Sequence, residues 1–142
     1  MKNIIQCSTV SALMLAMSLS PAAYADDLTL TIDNIALEQG KLLVALFSGE
    51  ASYNSGQHAI ASMMKPVTAH QHALVFTDLK PGEYAIKVIH DENDNNKLDS
   101  NFLGVPSEGY GFSNNAGEFG PASYQQAKFS LNGDTTITIH VR

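Results

Sequence analysis

Cysteine is almost missing from this sequence. Cys7 is the one residue of that type and lies in a leader segment, so the folded part has neither a disulfide nor a thiol nucleophile. Basic side chains are scarce too: 8 Lys and Arg face 14 Asp and Glu, a formal net charge of -6, and a nucleic-acid backbone needs clustered cations. A chain of 142 residues is one domain's worth. It is too short for a two-domain dinucleotide-binding enzyme, an eightfold βα barrel or a polytopic transporter. Hydrolytic motifs are also missing: there is no Gly-x-Ser-x-Gly elbow and no His-Glu-x-x-His pair.

The longest apolar run is N-terminal and reads as an export signal. Lys2 supplies a short positive start, Ile4, Ile5, Val10, Leu13, Met14, Leu15, Met17 and Leu19 supply the apolar stretch, and Pro21 breaks it. Ala23-Tyr24-Ala25 has the small-x-small pattern of a signal peptidase site, so residues 1–25 are expected to be removed, leaving a single domain over residues 26–142. Ser8, Thr9, Ser11 and Ser18 interrupt the run, which is shorter than the roughly 20 apolar residues of a membrane span. The expected compartment is therefore the periplasm or the exterior, with no membrane span after cleavage. Loss of Lys2 makes the mature chain one unit more acidic, and its stability must come from a packed core.

Beyond residue 25 the apolar period is two, which indicates strands. Leu28, Leu30 and Ile32 alternate with Thr29, Thr31 and Asp33, and residues 41–48 are apolar on both faces, as in a central strand. Residues 73–77 and 83–90 read as a hairpin joined by Leu79-Lys80-Pro81-Gly82, with Gly82 at the positive φ of a type II turn. Residues 127–131 and 135–141 read as a second hairpin through Asn132-Gly133. A seventh strand is expected from residues 67–70 or near Phe102, and a helical turn over Ala59, Ile60, Ala61, Met63 and Met64. The architecture implied is all-β: an Ig-like or prealbumin-like sandwich of about seven antiparallel strands with one long irregular loop.

That loop, residues 91–126, shows no strand pattern, and long structureless connections in compact domains are commonly functional. Its opening carries oxygen donors at alternate positions, Asp91, Asn93 and Asn95, then Asp99 four residues on. This is calcium-loop spacing, with a backbone carbonyl due from Lys97 and Asn96 at the sharp bend where glycine is usual. The chelating acid of the twelfth position is replaced by Phe102, so Glu108 is the nearest further carboxylate, and weak binding is expected. Crowded carboxylates would gain from a cation. The competing reading is a hydrated Asn/Asp turn.

The rest of the loop mixes aromatic residues with glycine. Tyr110, Phe112, Phe119 and Tyr124, with Asn114 and Asn115, could form a stacking surface for a sugar or peptide; alternatively the rings tuck inward as anchors, the preferred reading because exposed rings invite aggregation. His70 and His72, with His58, Met63 and Met64, could in principle hold copper, but solvent-facing histidines at a strand edge are the simpler reading. Glu92, Asp94 and Glu108 could in principle act as acid and base, yet beside a cation loop they read more simply as ligands or solvated charge.

The residues His90-Asp91-Glu92-Asn93, Lys97-Leu98-Asp99, Asn101-Phe102-Leu103-Gly104, Glu108-Gly109-Tyr110-Gly111-Phe112-Ser113-Asn114-Asn115 and Phe119-Gly120-Pro121 resemble the bacterial domain of unknown function 2141 family. The resemblance runs from about Leu28 to Val141. It implies an exported protein without an assigned activity, and a family glycine where Asn96 stands here. The hairpin around Pro81 is also similar to those of prealbumin-like modules in surface proteins, some of which carry an Asp/Asn cation loop. The expectation is a non-catalytic binding or accessory module with a calcium-pinned loop and an unknown protein or glycan partner at the cell envelope. The alternatives are a carbohydrate or small-ligand binder using Tyr110, Phe112, Asn114 and Tyr124, and a hydrolase using the cation as Lewis acid.

Overall fold

The computed structural model describes residues 24–142; the leader features, including Lys2, Cys7, Pro21 and the apolar run, lie outside the described residues. Eight strands form two sheets. In chain order the elements are β1 (Asp26–Asp33), β2 (Lys41–Phe47), α1 (Glu50–Ser55), β3 (Ala61–Pro66), β4 (His72–Leu79), β5 (Gly82–Asp91), β6 (Gly109–Phe112), α2 (Tyr124–Ala127), β7 (Phe129–Leu131) and β8 (Thr135–His140), with a 3-10 turn at Ser113–Asn115. One sheet has the order β4-β1-β8; the other has the order β3-β2-β5-β6, with β7 also paired to β5.

Alternation decides what each sheet buries. Leu28, Leu30 and Ile32 of β1, Phe76 of β4 and Ile139 of β8 meet Leu42, Val44 and Leu46 of β2 and Tyr84, Ile86 and Val88 of β5 between the sheets. The doubly apolar character of β2 has a different origin from a symmetric sandwich. Its other face, together with Ala85 of β5, carries a second core on the outside of the sheet, where Phe47 packs with Tyr53 of α1, Phe112 of β6 and Ala122, Tyr124 and Ala127 around α2. The rings meet edge to face, Phe47 with Tyr53 and Tyr53 with Tyr124, each with centroids 5.7 Å apart. A reciprocal capping box, Ser123 with Gln126, starts α2.

Several sequence expectations are corrected. Neither expected hairpin is one: β4 pairs with β1 whereas β5 pairs with β2, β6 and β7, and β8 pairs with β1 rather than with β7. At both corners the chain crosses between sheets. A turn signature specifies a reversal of direction but not which sheet the next strand joins, and Leu79 and Tyr84 both enter the central core from opposite sides. The Tyr84 hydroxyl stitches the first corner by donating to the Lys80 carbonyl at 2.6 Å, as in the tyrosine corner of immunoglobulin-type sandwiches. The residue with positive φ there is Asp78, at 59°, not Gly82.

The expected helical turn near Met63 is the edge strand β3, in register with β2 through Leu43–Met64 and Ala45–Ser62; the helix lies earlier, at α1. The loop after Asp91 does contain a strand, β6, and neither residues 67–70 nor the Phe102 region is one. The sandwich is not wholly antiparallel, because β1 and β8 run parallel.

Candidate cation loop and the cavity behind it

The loop begins where β5 leaves the sheet. Asp91 is the last residue of β5, opposite Lys41 in the register with β2, and is completely buried. Gly40 makes that close approach feasible: its φ is 68°, and a Cβ there would lie 2.1 Å from the Asp91 carbonyl oxygen. Each oxygen of the Asp91 carboxylate accepts a backbone N–H, Oδ1 from Asn95 at 3.0 Å and Oδ2 from Asn96 at 2.8 Å. The Lys41 ammonium stands 3.5 Å from Oδ2 and 3.2 Å from Asp94. Burial alone would raise the Asp91 pKa, but the Asn96 and Asn95 amides and Lys41 outweigh it, so the carboxyl is held below its ordinary value of 3.8.

Two asparagine turns follow in succession. The Asn93 side-chain oxygen accepts from the Asn95 N–H at 3.1 Å and the Asn95 oxygen from the Lys97 N–H at 2.9 Å. Their amide nitrogens then donate to one oxygen of Asp99, at 2.6 Å from Asn93 and 2.7 Å from Asn95. Asp94 and Asn96 take the left-handed conformation, with φ of 62° and 64°, so Asn96 occupies the bend assigned to it from sequence. Beneath the loop, the buried Glu108 clamps both ends: Oε1 accepts from the Glu92 N–H at 3.0 Å and Oε2 from the Asp99 N–H at 2.9 Å.

Asn93, Asn95 and Asp99 are thus linked in one ring of hydrogen bonds, Asp91 is joined to it through the Asn95 N–H, and Lys97 is held by its N–H. Among the described residues no three His, Cys, Asp or Glu side chains are grouped to hold a metal. The side-chain oxygens of Asp91 and of the ring come from two carboxylates and two amides, and each amide oxygen engaged by one N–H keeps a second lone pair. Oxygen-only donors of this kind suit a hard cation.

The aromatic segment has a structural assignment at most positions. Phe112 and Tyr124 are buried, Tyr110 is half-buried, and Phe119 and Phe102 stand exposed at 97% and 95%. The Asn114 amide donates to the carbonyls of Gln126 at 3.1 Å and Lys128 at 2.8 Å. Asn115 donates to the Thr138 carbonyl and accepts from the His140 N–H. Ser113, completely buried, accepts from the Ile86 N–H at 2.9 Å and donates to the Ala127 carbonyl. A Cβ at Gly111 would sit 2.6 Å from Ile139, so this glycine lets β6 pass close over β8. Tyr110 and Arg142 exchange two backbone hydrogen bonds, of 3.1 and 3.0 Å, closing that side of the sandwich.

Sequence reasoning did not reach the space behind the loop. A cavity of about 600 Å³ is lined by, among others, His70, His90, Glu92, Glu108, Tyr110 and Arg142. A more apolar one of about 340 Å³, with Ile89, Leu98, Pro106, Tyr110, Phe112 and Pro121 in its walls, lies over the outer face of the five-stranded sheet. Tyr110 borders both.

Two of the histidines considered for copper, His70 and His72, have local partners. His70 bonds the Ile35 carbonyl through Nδ1 at 2.7 Å and lies 3.3 Å from Glu38. His72 faces inward rather than to solvent: it is buried, and its Nε2 accepts from the Thr68 N–H at 3.2 Å. Of the carboxylates considered for acid–base work, Glu108 is spent on backbone amides and Asp94 pairs with Lys41.

No helix among the described residues is long and apolar enough to cross a membrane. Comparison with curated proteins and with solved structures returned no match. A family model described as an uncharacterized protein conserved in bacteria (DUF2141) matches residues 30–139, a span from β1 through β8 that includes the cation loop and the whole Glu108–Asn115 motif, and the chain belongs to that family.

Proposed function

We propose that the domain is an exported, non-catalytic binding or accessory module in which a weakly held calcium ion stiffens the long loop that the sandwich presents. The observation that carries the reading is the ring made by Asn93, Asn95 and Asp99, held to the buried Asp91 carboxylate at the end of β5 through the Asn95 and Asn96 amides and clamped from below by Glu108. Calcium would draw on those side-chain oxygens and on the Lys97 carbonyl. The leader over residues 1–25 supports export. The engagement of Asp94 and Glu108 in pairing and clamping supports a module without acid–base chemistry. A carbohydrate or small-ligand reading draws on Tyr110, the half-buried ring shared by both cavities; Phe112, Tyr124 and Asn114 would reach a ligand only by leaving packed positions.

Thermal unfolding of the mature domain tests the ion. Calcium in the submillimolar to ten-millimolar range should raise the melting temperature by mass action, magnesium should do so less, and Asp99→Ala should erase the rise. Equal melting with calcium and with chelator would leave the segment a hydrated turn and remove the proposal's basis.

A further inference from the structure

His90 ends the inner face of β5, opposite Leu42 in the register, and its side chain is only 1% exposed. Its Nε2 lies 2.8 Å from the Gln39 carbonyl oxygen. A carbonyl only accepts, so Nε2 carries a proton and donates. In the neutral ring, Nδ1 is then left with a lone pair, and among the described residues it has no hydrogen-bond partner. Its polar neighbour is the Glu92 carboxylate, with Oε1 at 3.7 Å. Two acceptors therefore face each other at the wall of the 600 Å³ cavity that both residues line. A buried ring nitrogen without a donor, facing a partly exposed carboxylate, is costly, and something positive between them relieves it.

We propose that His90 Nδ1 and Glu92 form a two-residue seat for a divalent metal ion of the zinc class, open toward this cavity and separate from the oxygen-only loop. Three features point to a metal. An imidazole nitrogen beside a carboxylate is a donor pair for zinc-class ions, whereas calcium prefers oxygen alone. Metal-binding histidines characteristically donate their second N–H to a backbone carbonyl, which fixes tautomer and ring orientation, and His90 already donates Nε2–H to the Gln39 carbonyl. Zinc bonds to nitrogen and oxygen of about 2.0–2.2 Å place tetrahedral donors about 3.4 Å apart, so the observed 3.7 Å needs only a small closure. With two protein ligands, the remaining positions face the cavity. The seat then takes a water molecule or a metal-binding group of a small ligand.

Zinc alone is the probe, titrated into the mature protein with calcium held at saturation, so that failure here is distinct from failure of the loop. One zinc per chain should bind. Glu92→Gln, at a partly exposed side chain and with little effect on folding, should weaken binding more than about tenfold, while His70→Gln, at an exposed ring on the same cavity, should leave it unchanged. Nitrogen NMR of the ring gives the second readout and does not depend on a His90 variant that folds: zinc should shift Nδ1 of His90 and leave Nε2 protonated. Zinc binding that survives Glu92→Gln, or that is lost with His70→Gln, would overturn the proposal. So would a His90 ring carrying protons on both nitrogens with and without zinc, since the pair would then be an imidazolium–carboxylate ion pair.

Discussion

Between the sheets the core is largely aliphatic, assembled from Leu28, Leu30, Ile32, Leu42, Val44, Leu46, Ile86, Val88 and Ile139 with few rings. On the outer face of the five-stranded sheet it is largely aromatic, with Phe47, Tyr53, Phe112 and Tyr124 drawn from four separated stretches of chain. The first is produced by strands and needs only period-two alternation. The second gathers short helices and strand ends from separated stretches onto the sheet, and it contains polar groups that must be paired within it. The Tyr53 hydroxyl donates to the Ala122 carbonyl at 3.0 Å, Ser113 bonds β5 to the end of α2, and the Lys87 ammonium donates to the Tyr53 carbonyl at 2.6 Å while lying 4.2 Å from the Tyr53 ring. Burial lowers the Lys87 pKa and pushes the Tyr53 hydroxyl up to about 12. Aliphatic packing closes the sandwich, and hydrogen-bonded aromatic packing fastens the long loop onto it.

Substitutions can separate the two. The largest effect should come from Ile86→Ala in the central core, where a fully buried side chain is deleted at a cost of about 2–5 kcal/mol; denaturant unfolding would measure it, and a loss well under about 1 kcal/mol would mean that the sheets are not held by this layer. Ser113→Ala should cost about 1–3 kcal/mol, because it strands the Ile86 N–H and the Ala127 carbonyl without a partner. If Ser113→Ala proved as harmless as an exposed serine change, the polar fastening of the outer core would be refuted.

The smallest effect is one of pH. Tyr53 keeps its proton more tightly folded than unfolded, from an ordinary 10.0 to about 12, so its contribution is complete below pH 10 and is lost as pH rises from there toward 12. Tyr53→Phe should remove that alkaline decline, and a decline of the same size in the variant would place its origin elsewhere.

How far these features were legible depends on how local their causes are. The strand at residues 28–32 follows from alternation, that at 41–48 from a short run apolar on both faces and that at 83–90 from the turn before it, and the bend at Asn96 follows from loop spacing. Pairing was not legible at the two corners, since Pro81-Gly82 and Asn132-Gly133 reverse the chain equally well within a sheet or between sheets. Strand β6 was missed because Gly109 and Gly111 remove the alternation that would announce it, for reasons set by Val141 and Ile139 far along the chain. Helix α2 did carry a local signal, Ser123 three residues before Gln126. The Asn114-Asn115 pair suggested ligand hydrogen bonds, yet its partners are the backbones of Gln126, Lys128 and Thr138, distant in sequence and visible only once folded.

If a cation organises the segment from Asp91 to Asp99, as proposed, amide hydrogen exchange measures it residue by residue. With calcium added, exchange at the Asn95, Asn96 and Asp99 amides, which bond the Asp91 and Glu108 carboxylates, should slow at least about tenfold while amides in the middle of β5 stay unchanged. Exchange at those three amides that is the same with millimolar calcium as with chelator would contradict the account.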